Sequence, residues 1–160
     1  MNKKTKKRIL YVFLIGIVIA VSIVYYLFNM PQRDVQSTET DFTLSADQIV
    51  EAYLTDATLA NNTYLQEDGD SKVMAITGEI FSINTDLNNQ KVIRLKSSTS
   101  KAGVSCTFTQ STNASVDGLK IGDIITVKGV IRSGAGYDED LEMYEDVIIE
   151  KCDLINNKNK

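Results

Sequence analysis

Histidine and tryptophan are absent from the 160 residues, proline occurs once and cysteine twice. Without His the chain lacks the commonest general base, the pH switch near neutrality and an imidazole metal ligand. Without Trp it lacks the core ring of an antibody-type sandwich. Cys106 and Cys152 are too few for a disulfide framework and have no C-x-x-C spacing, so they can form one bridge at most. No G-x-S-x-G elbow, P-loop or G-x-G-x-x-G occurs, and Gly134-Ala135-Gly136 reads as loop flexibility. These absences leave no nucleophile–base set and no cofactor motif. The expectation is a non-catalytic protein with no cofactor and no metal site.

Charge of either sign is missing from Ile9 to Phe28, ILYVFLIGIVIAVSIVYYLF. A helix of about 20 such residues rises about 30 Å, the hydrocarbon thickness of a bilayer. Lys3, Lys4, Lys6, Lys7 and Arg8 precede it, and all 21 acidic residues follow it. The positive-inside rule puts the lead in the cytoplasm and the acidic remainder outside, with Tyr25, Tyr26 and Phe28 in an interfacial aromatic belt. Ala20 and Ser22 could mimic a signal-peptidase site, but Ile23 to Phe28 continue apolar beyond it, which favours an uncleaved signal anchor. The expected organisation is a basic cytoplasmic lead over 1–8, a transmembrane signal anchor over 9–28, a tether over 29–44, a domain over 45–156 and a polar tail over 157–160.

Beyond the anchor, Pro31 stops the helix. Ser45 with Gln48 three residues on is a capping-box pattern. Ile49, Val50, Tyr53, Leu54 and Ala57 follow at helical spacing, which predicts an amphipathic helix from Ala46 to about Ala60. The period then changes. Strands are predicted over Lys72–Asn84, bent or bulged at Gly78, and over Gln90–Lys96, Gly103–Thr109, Asp123–Ser133 and Asp146–Ile155. Asp86–Asn89 and Lys120–Asp123 are turns, Ser111–Leu119 is a connection with a short helical turn, and Gly134–Glu145 is a long acidic loop. Five strands with a crossover after the third is the bookkeeping of an OB-fold barrel. The fold expected is mainly β, a five-stranded OB-fold barrel preceded by an amphipathic helix and an N-terminal transmembrane helix.

Several ordered pieces carry a resemblance: Met30–Val35 (MPQRDV), Asp41–Ala46 (DFTLSA), Ile76–Ile80 (ITGEI), Val104–Phe108 (VSCTF), Leu119–Gly129 (LKIGDIITVKG) and Cys152–Leu154 (CDL). Together they resemble the tRNA_anti-like family of small bacterial OB-fold proteins, membrane-associated or secreted. The resemblance implies the OB-fold and a non-cytoplasmic setting. It brings no established activity and no catalytic residues. The chain departs from it at Gln66–Ser71 and in the acidic loop after Ser133.

Three groups of residues are candidates for contact. Lys91, Arg94, Lys96 and Lys101 form a possible basic face on strands two and three, where OB-folds bind single strands, although Val92, Ile93 and Leu95 lie between them and no aromatic joins them. The acid excess opposes nucleic acid. Tyr137, Asp138, Glu139, Asp140, Met143 and Tyr144 form a possible interaction loop. Its acids do not have EF-hand spacing and read as solvated charge. In the OB-fold topology the third strand neighbours the fifth, so Cys106 and Cys152 lie on adjacent strands, as a possible disulfide outside the cytoplasm or as two buried thiols. The function expected is a membrane-anchored, extracytoplasmic OB-fold binding protein of the cell envelope with a protein or glycan partner. The alternatives are a small-molecule or oligosaccharide-binding barrel and a divergent single-stranded nucleic-acid binder. Surface character separates them: a convergent apolar groove points to a ligand, a flat acidic face to a protein, and a basic groove with exposed aromatics to nucleic acid.

Overall fold

The computed structural model describes residues 3–29, 34–65 and 71–155. Met1 and Asn2 of the lead, the helix stop expected at Pro31, residues 66–70 of the Gln66–Ser71 departure and the tail from residue 156 lie outside the described residues. The chain divides into two compact units, residues 1–33 and 34–160.

The first unit is one helix, α1 (Lys3–Phe28). Its segment Tyr11–Phe28 has mean hydropathy 2.5 and is 0% buried. It is long and apolar enough to cross a membrane, a test that a signal sequence also passes.

In the second unit β1 (Phe42–Ser45) leads into α2 (Ala46–Thr55) and α3 (Ala57–Tyr64). The capping box forms as expected: the Gln48 amide donates to Ser45 Oγ (3.1 Å), and the Ser45 amide donates to Gln48 Oε1 (2.8 Å). The single helix expected to Ala60 is instead two. Asp56 leaves helical backbone (φ −150°, ψ 91°), closes α2 and caps α3 by accepting from the Leu59 amide at 2.9 Å. A side-chain acceptor that satisfies a new helix start competes well with one more turn of the old helix.

The strands are β2 (Val73–Thr85), β3 (Lys91–Leu95), β4 (Val104–Phe108), β5 (Ile124–Ser133), β6 (Gly136–Asp138), β7 (Met143–Glu145) and β8 (Val147–Leu154). They run β2-β3-β4-β8-β5 and close by a β2–β5 pairing, which makes a five-stranded OB barrel. The crossover between β4 and β5 holds a 3-10 turn, Asn113–Val116. β4 alternates as its sequence predicts, with Val104, Cys106 and Phe108 inward. The interior is filled by Met74, Ile76, Ile80, Ile93, Leu95, Phe108, Ile131 and Ile149, and Ile49, Val50 and Tyr53 of α2 join the same core.

Residues 34–44, expected as tether, are folded onto this unit. β3 pairs with β2 only from Ile80 onward, which leaves Met74–Thr77 with an open edge, and β1 takes it in parallel. Unpaired strand edges carry backbone groups that need partners. Val35 is buried with Val73 and Val130, and Lys128 Nζ donates to the carbonyls of Gln36 and Thr38.

The bulge expected at Gly78 lies at Phe81, between the Ile80–Leu95 and Ser82–Arg94 pairs. Gly78 serves close packing instead: a Cβ there would stand 3.0 Å from Ala46 Cβ and 3.1 Å from Leu95 Cβ. Gly129 does sit at a register shift, between the Lys128 and Val130 pairs with β8. The expected acidic loop is a hairpin, β6–β7, with Gly136 paired to Glu145 and Asp138 to Met143.

Candidate functional site

Period-two alternation sorts β3 first. Ile93 and Leu95 are buried in the barrel, so Val92, Arg94 and Lys96 point out. Lys91 has the parity of Ile93 and leaves the expected basic face. Its amide donates to Asn113 Oδ1 at 2.8 Å and its Nζ lies 3.4 Å from Thr85 Oγ1, at the barrel rim.

Phe81 joins the outer face in its place. Ile80 faces the core, and the extra residue of the bulge turns Phe81 outward, 51% exposed. The Arg94 guanidinium carbon lies 5.4 Å and Lys96 Nζ 5.9 Å from its ring centroid. Such cation–π contacts contribute about 0.5–1 kcal/mol at exposed sites. The sequence signal was Ile80-Phe81, two consecutive large apolar residues between polar neighbours in the second half of the strand, of which one faces the core and the other faces out.

Arg94 also binds Asp146 with two prongs, Nε to Oδ2 at 2.5 Å and Nη2 to Oδ1 at 2.7 Å. Asp146 Oδ1 accepts the Gly103 amide as well, at 2.7 Å. The carboxylate hydrogen-bonded to it holds the Arg94 guanidinium above its ordinary pKa. Asp146 therefore ties β3, the β3–β4 turn and β8 together, and much of the Arg94 charge is answered within the protein.

The β6–β7 hairpin stands beside this pair. Tyr137 and Tyr144 are register partners with ring centroids 4.9 Å apart, and Lys101 Nζ lies 5.4 Å from the Tyr144 ring. Two sets of residues that are separate in sequence meet here: Arg94 and Lys101 of the basic face, and Met143 and Tyr144 of the loop. Between them runs an open groove of about 490 Å³, lined by Arg94, Ser105, Ser133, Met143, Tyr144, Glu145, Asp146 and Ile148. The other loop candidates take different places. Asp138 Oδ1 accepts the amides of Asp140 and Leu141 and so builds the turn, and Glu139 and Asp140 are exposed at its tip. Among the described residues no group of three or more Cys, Asp or Glu side chains is placed to hold a metal.

Cys106 and Cys152 are buried free thiols on β4 and β8, which pair in parallel. Burial pushes the Cys152 thiol well above its usual pKa, and the Cys106 sulfur hydrogen-bonded beside it adds to this.

The family model described as tRNA_anti-like matches residues 1–140. The Cys152–Leu154 piece of the resemblance lies beyond that match. No curated protein matches the chain. Among solved structures, a lipoprotein of Klebsiella pneumoniae subsp. pneumoniae MGH 78578, named as a candidate nucleic acid-binding protein, is similar with a TM-score of 0.52 and 16% identity, over 79% of this chain and 100% of that one. At that identity the likeness speaks for the fold alone.

Proposed function

Because the chain belongs to the tRNA_anti-like family of OB-fold proteins, we propose that it is a non-catalytic binding module, held at the membrane by α1, that takes its ligand along the outer face of β3 and β4. The observation that carries this reading is Phe81, exposed on that face between Arg94 and Lys96, with Arg94 also lining the open groove beside the half-buried Tyr144. An exposed ring flanked by two cationic side chains offers a ligand both stacking and polar contacts. The basic lead and uncharged helix support a cytoplasmic N-terminus, an uncleaved anchor and an extracytoplasmic barrel. In that setting the neighbouring thiols of Cys106 and Cys152 are candidates for oxidation to one disulfide.

A second reading, single-stranded nucleic acid, is favoured by the stacking platform of Phe81 between Arg94 and Lys96. The engagement of Arg94 by Asp146 and the excess of 21 acidic over 17 basic residues weigh against it.

The test is photo-crosslinking in intact cells with Phe81→p-benzoylphenylalanine, and with the same substitution at Leu59 on α3 as control. Adducts are expected at position 81 and not at 59. Mass spectrometry of the purified adducts identifies the partner: foreign peptides identify a protein, nuclease-sensitive adducts establish the second reading, and attached sugar identifies a glycan. Recovery of uncrosslinked monomer alone at position 81 counts against the proposal.

A further inference from the structure

Arg94 and Gly103 build a cradle for an anion beside β3, and the chain fills it with its own carboxylate. Three N–H groups converge there. Arg94 Nε and Nη2 lie 2.5 and 2.7 Å from the two oxygens of Asp146, and the Gly103 amide lies 2.7 Å from Oδ1. A guanidinium fork aligned with a backbone amide suits a carboxylate and a phosphate alike. Glycine brings its amide this close because it has no Cβ, which would stand 2.8 Å from the Leu95 carbonyl oxygen and 3.3 Å from Arg94 Nε. The Asp146 side chain is 16% exposed in the cradle. The chain between β7 and β8 holds it there, so it competes with any external anion at a high local concentration.

The surroundings of the cradle are of the kind that bind single strands. Phe81 is exposed between Arg94 and Lys96, and Lys101 lies over the Tyr144 ring. Neither lysine has an ion-pair partner among the described residues. Cations beside stacking rings attract polyanions. Asp146 withdraws the best phosphate donor from that set, since Arg94 can offer two parallel bonds where a lysine offers a point charge. We infer that Asp146 is the specificity-determining residue of this face: by occupying the Arg94–Gly103 cradle it keeps nucleic-acid phosphates off the barrel. The inference rests on the reading of the β3–β4 outer face as the binding face and names the residue that sets its selectivity.

The test is fluorescence anisotropy of a labelled oligothymidylate of about 12 nucleotides, within the span of one OB-fold, with the full chain in nonionic micelles. Asp146→Asn keeps the size and an acceptor for the Gly103 amide but loses the charge that holds Arg94. It should bind at least about tenfold more tightly than the wild type, and its log–log salt slope should steepen by about 0.7 for one added phosphate contact. Adding Arg94→Gln should abolish the gain. Glu145→Gln removes an equal charge from a neighbour that forms no ion pair with Arg94, and should change affinity less than about threefold, as befits an exposed and screened charge. Amide NMR spectra establish that each variant is folded. If the Asn chain does not fold, Asp146→Ser carries the same expectation. A folded Asp146 variant without the gain, a gain that survives Arg94→Gln, or an equal gain in Glu145→Gln overturns the inference. If the gain appears but is untouched by Phe81→Ala in the same background, the role of Asp146 stands and the β3–β4 face as a ligand platform falls. If no gain appears while position 81 crosslinks a partner in cells, the face stands and the role of Asp146 falls.

Discussion

Tyr53 shows how the barrel treats a polar atom it cannot serve. The side chain is 3% exposed, its ring lies against Gly134, and its hydroxyl has no hydrogen-bond partner among the described residues. Burial, with a contribution from Tyr64, pushes the phenol up from 10.0 to about 12. An acid whose folded pKa is raised keeps its proton in the native state while the unfolded chain gives it up. The stability present below pH 10 is therefore lost as pH rises from 10 towards 12, by about 2–3 kcal/mol. Tyr53→Phe should leave stability at pH 7 unchanged or raise it by up to about 1 kcal/mol, and should flatten that alkaline loss. Urea titrations of both proteins at neutral and alkaline pH read this directly, and a clear destabilisation of the variant at pH 7 would reveal a hidden partner for the hydroxyl. Cys106 and Cys152 belong to the same scale. Alkylation of denatured, unreduced protein from cells, followed by mass measurement, should find neither thiol labelled if the bridge forms outside the cytoplasm. Full labelling without reductant would establish two free thiols.

At the level of the elements, the closures of the barrel depend on positions with no room. A Cβ at Gly129 would lie 2.5 Å from Ile149 Cγ2, 2.8 Å from Cys152 Sγ and 2.9 Å from the Glu150 carbonyl oxygen. The last of these is backbone and cannot step aside without parting β5 from β8. Gly129→Ala should cost about 3 kcal/mol, measured by thermal or chemical unfolding; a cost under about 1 kcal/mol would mean that the β5–β8 seam yields. The strands were legible in the sequence because alternation and turn chemistry are local. Val104-Cys106-Phe108, Asp86–Asn89 and Lys120–Asp123 all formed where expected. The division of the helix at Asp56 and the pairing of β1 were not legible. A carboxylate can cap a helix or ride on its surface, and Phe42–Ser45 becomes a strand only because β2 has a free edge at Met74–Thr77.

For the whole molecule, the prediction concerns which side of the membrane holds the barrel. Glu139 is exposed at the tip of the hairpin, and the native cysteines are buried. Glu139→Cys in intact cells should react with a membrane-impermeant maleimide. Labelling that appears only after lysis would put the domain in the cytoplasm and, with it, restore the argument for nucleic acid.

The sequence by itself determined the apolar helix, the run of five barrel strands, the family and the absence of His-based chemistry, since each is written in composition or in short-range periodicity. It also contained, in Ile80-Phe81 and in the parity of Lys91, the evidence to redraw the basic face. Only the tertiary structure decided which candidates meet. Barrel closure brings Asp146 of the β7–β8 junction onto Arg94 of β3 and sets the β6–β7 hairpin beside them. A groove assembled from five strands has no signature along the chain, because its walls are separated by tens of residues and joined only by hydrogen-bond register.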